Sequence, residues 1–165
     1  MLCVNFCLKC AHVRTGTTAN NCGQIANCVA INLPLGFDRV LAALLHDVVE
    51  DQDVTNAEVA AEFGASVASI VAEVTDDKSL AKKERKRLQV ASAPHKSKAA
   101  SIIKLADKTA NLRALANSPP PWPAERKTGY VGWARSVVSG LPVKPAPLMA
   151  PFETAANAAL ATITP

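Results

Sequence analysis

Residues 38 to 50 read Asp38-Arg-Val-Leu-Ala-Ala-Leu-Leu-His-Asp-Val-Val-Glu50, and their apolar members recur at helical spacing. The pattern predicts a helix with one broad apolar face. Four ionisable side chains crowd the end of this helix, namely His46, Asp47, Glu50 and Asp51. Burying an unpaired charge is costly, so the cluster requires compensation, and a divalent cation is the natural candidate. Basic partners for the carboxylates and a satisfied core histidine at position 46 are the structural alternatives.

The rest of the chain also favours helices, because alanine is abundant while glycine and aromatic residues are scarce. Thr55-Asn-Ala-Glu58 has the pattern of a capping box, and Gly64 is placed to end the helix that it starts. Further helices are predicted from Ser66 to a gradual end at Asp76–Asp77, and at about Leu80–Val90, Ser97–Asn117, Ala124–Ser139 and Thr154–Ala161. The predicted fold class is all-α, as a compact single-domain helical bundle.

Charge is divided along the chain. Residues 38 to 77 contain ten acidic residues and one basic residue, whereas residues 78 to 144 contain fifteen basic and three acidic residues. Such a division suits a site that needs both a metal ion and an anionic ligand. Ordinary solvated helix faces are the alternative. The basic run from Lys78 to Arg87 has no interleaved aromatic residue, so we expect no single-stranded nucleic acid as a partner.

A second polar pair lies in the longest predicted helix. Asp107 and Asn111 are four residues apart in Lys104-Leu-Ala-Asp-Lys-Thr-Ala-Asn111, so they share a helix face. A carboxylate on such an apolar helix needs a partner, which is either a basic side chain or a metal shared with His46 and Asp47. Imidazole combined with carboxylates suits manganese, iron or zinc.

Together these motifs resemble the HD superfamily of metal-dependent phosphohydrolases, and within it the small SpoT-like alarmone hydrolases. The motifs are His46-Asp-x-x-Glu50-Asp51, Val74-Thr-Asp-Asp-Lys78, Glu84-Arg-Lys-Arg-Leu88, Ala93-Pro-His95, Lys104-Leu-Ala-Asp-Lys108 and Asn111-Leu-Arg113. The resemblance implies an HD-type helical fold. It implies a domain at residues 1–141, of which 1–37 diverge from the family, followed by a Pro/Ala-rich C-terminal tail at 142–165.

The resemblance also implies an activity, the removal of the 3′ pyrophosphate from the guanosine alarmones ppGpp and pppGpp. The implied metal ligands are His46, Asp47 and Asp107, with Mn²⁺ as the typical metal. The implied catalytic residues, which act on or position the attacking water, are Glu50, Asp51 and Asn111. The implied substrate-binding residues are Lys82, Arg126 and Tyr130. We expect Lys82 to reach the phosphates and the other bases of its helix to be mostly solvated.

The N-terminal segment departs from the family pattern. The family's first metal ligand is the histidine of an Asn-His-Pro motif, and this chain has Asn20-Asn21-Cys22 at the corresponding place. Asn21, Cys22, His12 or a water molecule is left as the fourth ligand. All five cysteines lie in the first 28 residues. Cys7-x-x-Cys10 resembles half of a zinc site, but no second pair exists, so we expect reduced thiols.

Three functions are consistent with these features. The first is a ppGpp hydrolase; the second is an HD phosphohydrolase on another nucleotide such as NADPH; the third is a degenerate, non-catalytic nucleotide-binding domain. The longest apolar runs are far shorter than the roughly 20 residues that span a bilayer, and a signal-peptide pattern is absent. We therefore expect a cytoplasmic enzyme with a small nucleotide substrate and without a nucleic-acid or membrane partner.

Overall fold

The computed structural model describes residues 36–52 and 54–163, apart from the side chain of Asp51. Within these residues every regular element is helical. The elements are α1 (Phe37–Leu45), α2 (Val48–Asp51), α3 (Asn56–Phe63), α4 (Ala65–Val74), α5 (Lys82–Ser92), a 3₁₀ turn (Ala93–His95), α6 (Lys98–Asn117), α7 (Ala124–Gly140) and α8 (Ala146–Ala161). The predicted all-α class is confirmed. The chain divides between Lys78 and Ser79 into two units.

In the first unit, α4 packs against both α1 and α3. Ala42 and Ala43 of α1 are completely buried, and small side chains let two helix backbones approach closely. Val67 and Val71, one turn apart on α4, are also fully buried. Burial of a valine side chain contributes roughly 1.5–3 kcal/mol, so these contacts hold the N-terminal helices together.

The start and the end of α3 follow the local sequence. The Thr55 hydroxyl accepts a hydrogen bond from the Glu58 backbone N–H at 3.2 Å, and the Glu58 carboxylate accepts one from the Thr55 backbone N–H at 2.8 Å. The predicted capping box is therefore confirmed. Gly64 follows the helix with φ 90°, a left-handed conformation that favours glycine, as the predicted helix end requires.

In the second unit, α6 is buried along most of its length. It packs against α7 and, more extensively, against α8. Leu105 and Leu112 of α6 are completely buried, as are, to within 1%, Leu148 and Phe152 of α8. A helix that is apolar on most sides must be covered by neighbours, and α8 supplies much of that cover.

Helix α8 differs from the sequence prediction. The predicted helix began at Thr154, whereas the observed helix begins at Ala146 and contains Pro151. A proline inside a helix costs about 3 kcal/mol, which is why sequence reasoning starts the helix after it. Burial of Leu148 and Phe152 against α6 offsets that cost. The domain boundary after residue 141 stays a prediction.

None of the described helices is both long enough and apolar enough to cross a membrane.

Candidate active site

The His46–Asp47 pair lies at a break between two helices. The sequence predicts one helix from residue 38 to 50, but α1 ends at Leu45 and α2 begins at Val48. Asp47 has φ −103° and ψ 0°, the sparsely populated bridge region that active-site residues often occupy. The prediction of a continuous helix is wrong because the turn at 46–47 interrupts it.

A hydrogen bond fixes the His46 ring. Its Nδ1 nitrogen lies 2.9 Å from the carbonyl oxygen of Ala43. A carbonyl oxygen only accepts, so Nδ1 carries the proton and donates it. In the neutral ring the other nitrogen, Nε2, therefore holds the lone pair. Metal-binding histidines are commonly oriented in this way, by donating the second ring N–H to a backbone carbonyl.

The side-chain atoms of His46 and Asp47 that face each other are of the types that bind a divalent cation. Nε2 of His46 lies 3.0 Å from Oδ2 of Asp47, with the His46 side chain 4% exposed and that of Asp47 31% exposed. In the neutral tautomer both atoms carry lone pairs, so one divalent cation could bind both of them. Two atoms that bind one cation at right angles and at about 2.1 Å are themselves about 3 Å apart. The spacing therefore suits two adjacent metal ligands.

Glu50 ties the short α2 helix to the segment after α4. Its Oε2 accepts a hydrogen bond of 3.4 Å from the backbone N–H of Asp76. The Glu50 side chain is half-buried. Asp51 is the last residue of α2, and its side chain lies outside the described part of the structure. The roles of Glu50 and Asp51 in activating water stay predictions.

The second polar pair is assembled on α6. Oδ1 of Asp107 accepts a hydrogen bond of 2.6 Å from Asn111 Nδ2, and Oδ2 accepts one of 2.9 Å from Lys108 Nζ. Asp107 and Lys108 are 8% and 4% exposed. The sequence predicted either a basic side chain or a metal ion as the partner of Asp107, and the structure shows a basic side chain, Lys108. Whether Asp107 also binds a metal ion stays a prediction.

The predicted metal ligands come from both units, His46 and Asp47 from the first and Asp107 from the second. Among the described residues no group of three or more His, Cys, Asp or Glu side chains is arranged to hold a metal ion. The three-residue ligand set therefore stays a prediction. The candidates for the fourth ligand, His12, Asn21 and Cys22, lie outside the described residues, as do all five cysteines.

The second unit also contains a group of aromatic rings and cations, which we call the aromatic–cation cluster. Its members are Lys86, Lys108, Trp122, Arg126, Tyr130 and Trp133. The Tyr130 ring centroid lies 6.0 Å from that of Trp122 and 5.3 Å from that of Trp133, both in tilted geometry. The Arg126 guanidinium lies 4.1 Å from the Trp122 centroid. Cations over such rings are held by the negative ring faces.

Burial is the largest cause of the pKa shifts of Tyr130 and Lys86 in this cluster. It raises the pKa of Tyr130 above the ordinary 10.0, and the Asp107 carboxylate raises it further while Lys108 opposes the change. Burial also lowers the pKa of Lys86, and the charges of Lys82, Lys108 and Arg126 lower it further. The phenol of Tyr130 is therefore a hydrogen-bond donor at neutral pH.

The structure brings two of the predicted substrate-binding residues, Arg126 and Tyr130, into this cluster. Lys82 is exposed at the first position of α5. Among the other bases of α5, Lys83 and Arg87 are exposed, whereas the ammonium of Lys86 lies 4.5 Å from the Trp133 centroid. The spacing of Lys86, four residues after Lys82, places both on one helix face and could have indicated this.

Comparison with known proteins identifies the family. A model of the HD domain matches residues 7–131. The chain belongs to the HD domain family. Human MESH1, a guanosine-3′,5′-bis(diphosphate) 3′-pyrophosphohydrolase, is 50% identical over 125 residues, which cover 67% of this chain and 70% of the human protein. The Drosophila melanogaster protein of the same name is 53% identical over 103 residues, which cover 62% of this chain and 58% of the fly protein.

A solved structure supports the same assignment. It is described as a metazoan ortholog of SpoT that hydrolyzes ppGpp and plays a role in starvation responses, and it matches this HD domain with a TM-score of 0.84 at 38% identity. The match covers 94% of this chain and 92% of the solved chain. The predicted HD-type fold and the resemblance to small SpoT-like hydrolases are confirmed. HD domain hydrolases depend on a divalent metal, which is consistent with the donor atoms of His46 and Asp47.

Proposed function

We propose that this HD domain is a metal-dependent guanosine-3′,5′-bis(diphosphate) 3′-pyrophosphohydrolase, which converts ppGpp or pppGpp and water into GDP or GTP and pyrophosphate. The observation that carries the proposal is the pair of donor atoms, His46 Nε2 and Asp47 Oδ2, 3.0 Å apart at a helix break. The names of the human and fly relatives support this substrate. A cytoplasmic location, where nucleoside phosphates are metabolised, is part of the proposal.

The metal site of this proposal uses His46, Asp47 and Asp107, with Mn²⁺ as the ion. When bound, the ion acidifies water and polarises the phosphoryl oxygen under attack. Imidazole and carboxylate donors suit manganese, and the Ala43 carbonyl holds the His46 ring with Nε2 as the ligand atom. Asn111 donates to Asp107 and so orients this carboxylate.

The reaction follows from these positions. Glu50 and Asp51 orient the attacking water and accept its proton. As the water oxygen bonds to phosphorus, the bond between phosphorus and the ribose 3′ oxygen breaks, and this oxygen takes up a proton. Lys82, Arg126 and Tyr130 bind the nucleotide and its phosphates. Cations near the transferred group stabilise the charge that develops in the transition state.

The test is release of pyrophosphate from ppGpp by the purified protein with Mn²⁺. We expect release from the wild type and loss of at least about 10³-fold in His46→Ala, because a metal acting as a Lewis acid supplies several kcal/mol of stabilisation. Asp38→Asn, at an exposed position in the first turn of α1, is the matched control and should retain activity. The absence of release from the wild type at high enzyme concentration would overturn the proposal. A parallel phosphate-release panel that includes NADPH measures the preference for guanosine alarmones.

A further inference from the structure

The aromatic–cation cluster holds positive charge that nearby carboxylates do not neutralise. Lys108 is compensated by Asp107 at 2.9 Å. Within the described residues, Lys82, Lys86 and Arg126 have no carboxylate within ion-pair distance. Like charges that face one another raise the energy of the empty protein, and an anion bound among them relieves this repulsion.

Helix α5 separates its charges by face. On one side Arg87 is paired with Glu84, at 2.6 Å between guanidinium nitrogen and carboxylate oxygen. Lys83 is exposed. On the other side Lys86 faces α7, where Tyr130 and Trp133 receive it. Lys86 is therefore held in place by aromatic rings, whereas a purely solubilising lysine would extend into water.

Two contacts with one indole anchor Lys86. Its ammonium nitrogen lies 4.5 Å from the centroid of Trp133 and 5.0 Å from that of Tyr130. Its backbone carbonyl accepts a hydrogen bond of 3.1 Å from Trp133 Nε1. Aromatic rings attract a cation but carry no net charge, so they do not neutralise the ammonium of Lys86 as a carboxylate would. Such preorganisation reduces the entropy lost when a ligand binds.

We propose that Lys86 is a phosphate-binding residue, positioned by Trp133, which holds the pyrophosphate group of the substrate together with Lys82 and Arg126. The assignment rests on the proposed function for the identity of the substrate. The burial and charge effects that lower the pKa of Lys86 are consistent with a site that gains stability when a polyanion neutralises it. The chemical class that the cluster recognises is a di- or polyphosphate.

The direct test is the binding of inorganic pyrophosphate in the presence of EDTA. Because EDTA removes metal ions, any binding that is measured is due to the basic side chains. Both tryptophans of the chain lie in the cluster, so intrinsic fluorescence reports on this site alone. We expect saturable binding to the wild type, about tenfold weaker binding to Lys86→Met, and partial recovery in Lys86→Arg. Tenfold corresponds to about 1.4 kcal/mol. Lys83→Met, on the same helix, should bind like the wild type.

Several results would overturn the assignment: no saturable binding by the wild type, wild-type affinity in Lys86→Met, or an equal loss in Lys83→Met. Circular dichroism establishes that each variant is folded. The positioning role of Trp133 predicts that calorimetry finds Lys86→Met and the double variant Lys86→Met/Trp133→Leu equally weak. Additive losses in the double variant would contradict it.

The KM and kcat of the Lys86 variant for ppGpp distinguish a failure of the Lys86 assignment from a failure of the proposed function. If the wild type hydrolyses ppGpp, Lys86→Met should raise KM about tenfold with a smaller change in kcat. Hydrolysis by the wild type with an unchanged KM in Lys86→Met overturns the role of Lys86 alone. A wild type that binds pyrophosphate through Lys86 but does not hydrolyse ppGpp supports the binding role and overturns only the proposed function.

Discussion

His46 shows how one backbone hydrogen bond can set the chemistry of a side chain. Donation from Nδ1 to the Ala43 carbonyl leaves Nε2 to face Asp47. The residue types and their spacing could be predicted, because an ionisable cluster at the end of an apolar helix needs compensation. The tautomer and the helix break could not, since both depend on atomic positions within a single turn.

Lys86 was not predicted as a functional residue, and the reason is its sequence separation from its partners. Trp133, which contacts both its ammonium and its carbonyl, is 47 residues away. A single sequence reports which residues share a helix face, but it does not report which other helix covers that face. Asp107 and Asn111 were predicted as a pair because they lie four residues apart on one helix.

Breaking the Asp107–Lys108 pair should strongly destabilise the fold. Both side chains are buried, and loss of one partner from a buried ion pair typically costs about 3–5 kcal/mol. We expect Lys108→Met to lower the free energy of unfolding by this amount in urea denaturation. Lys98→Met, exposed at the start of the same helix, should change it by less than about 0.5 kcal/mol. Equal stabilities of the two variants would contradict the buried pair.

Tyr130 predicts a pH dependence of stability. Burial raises its pKa in the folded protein above the ordinary 10.0, with a further rise from Asp107 and an opposing effect of Lys108. The unfolded chain therefore loses this proton first. The contribution of Tyr130 to the free energy of unfolding is therefore fully present below its pKa in the unfolded chain. It is lost as pH rises through its pKa in the folded protein. Because Tyr130 is the only tyrosine, ultraviolet absorbance should show phenolate forming at higher pH in the folded than in the urea-unfolded protein. Coincident titrations would contradict the raised pKa of Tyr130.

At the scale of the helices, local sequence signals predicted where helices begin and end, whereas the effects of long-range packing could not be predicted. The capping box at Thr55 and the glycine at position 64 act within one turn, and both are where the sequence places them. The extra turns at the start of α8 could not be predicted, because Pro147 and Pro151 disfavour them and only burial against α6 stabilises them.

The capping box provides a quantitative test. Thr55→Ala removes the hydroxyl that accepts the Glu58 backbone N–H, so we expect a loss of about 1 kcal/mol in the free energy of unfolding. Ser66→Ala, exposed in the first turn of the adjacent helix α4, should have an effect within about 0.5 kcal/mol. Thermal or chemical denaturation measures both, and an equal effect in the two variants would show that the cap is unimportant.

At the scale of the whole molecule, the division of charge coincides with the division of the fold. The change from acidic to basic composition falls at Asp77–Lys78, and the two units meet in sequence between Lys78 and Ser79. The acidic unit carries His46 and Asp47, and the basic unit carries the aromatic–cation cluster. The change in charge could be predicted because charge composition is visible without a structure, whereas the roles of these residues as metal ligands and anion-binding residues stay predictions.

The proposed metal ligands His46, Asp47 and Asp107 are far apart in sequence, so the proposed activity depends on distant segments of the chain. The measurement is pyrophosphate release from ppGpp as a function of Mn²⁺ concentration, in the wild type and in Asp107→Asn. We predict no release in EDTA, saturation in the wild type, and a curve shifted to at least about tenfold higher Mn²⁺ in the variant, because even residues around metal ligands change affinity by about 10–100-fold. Release that persists in EDTA, or coincident curves for the two proteins, would contradict a metal-dependent hydrolase with Asp107 as a ligand.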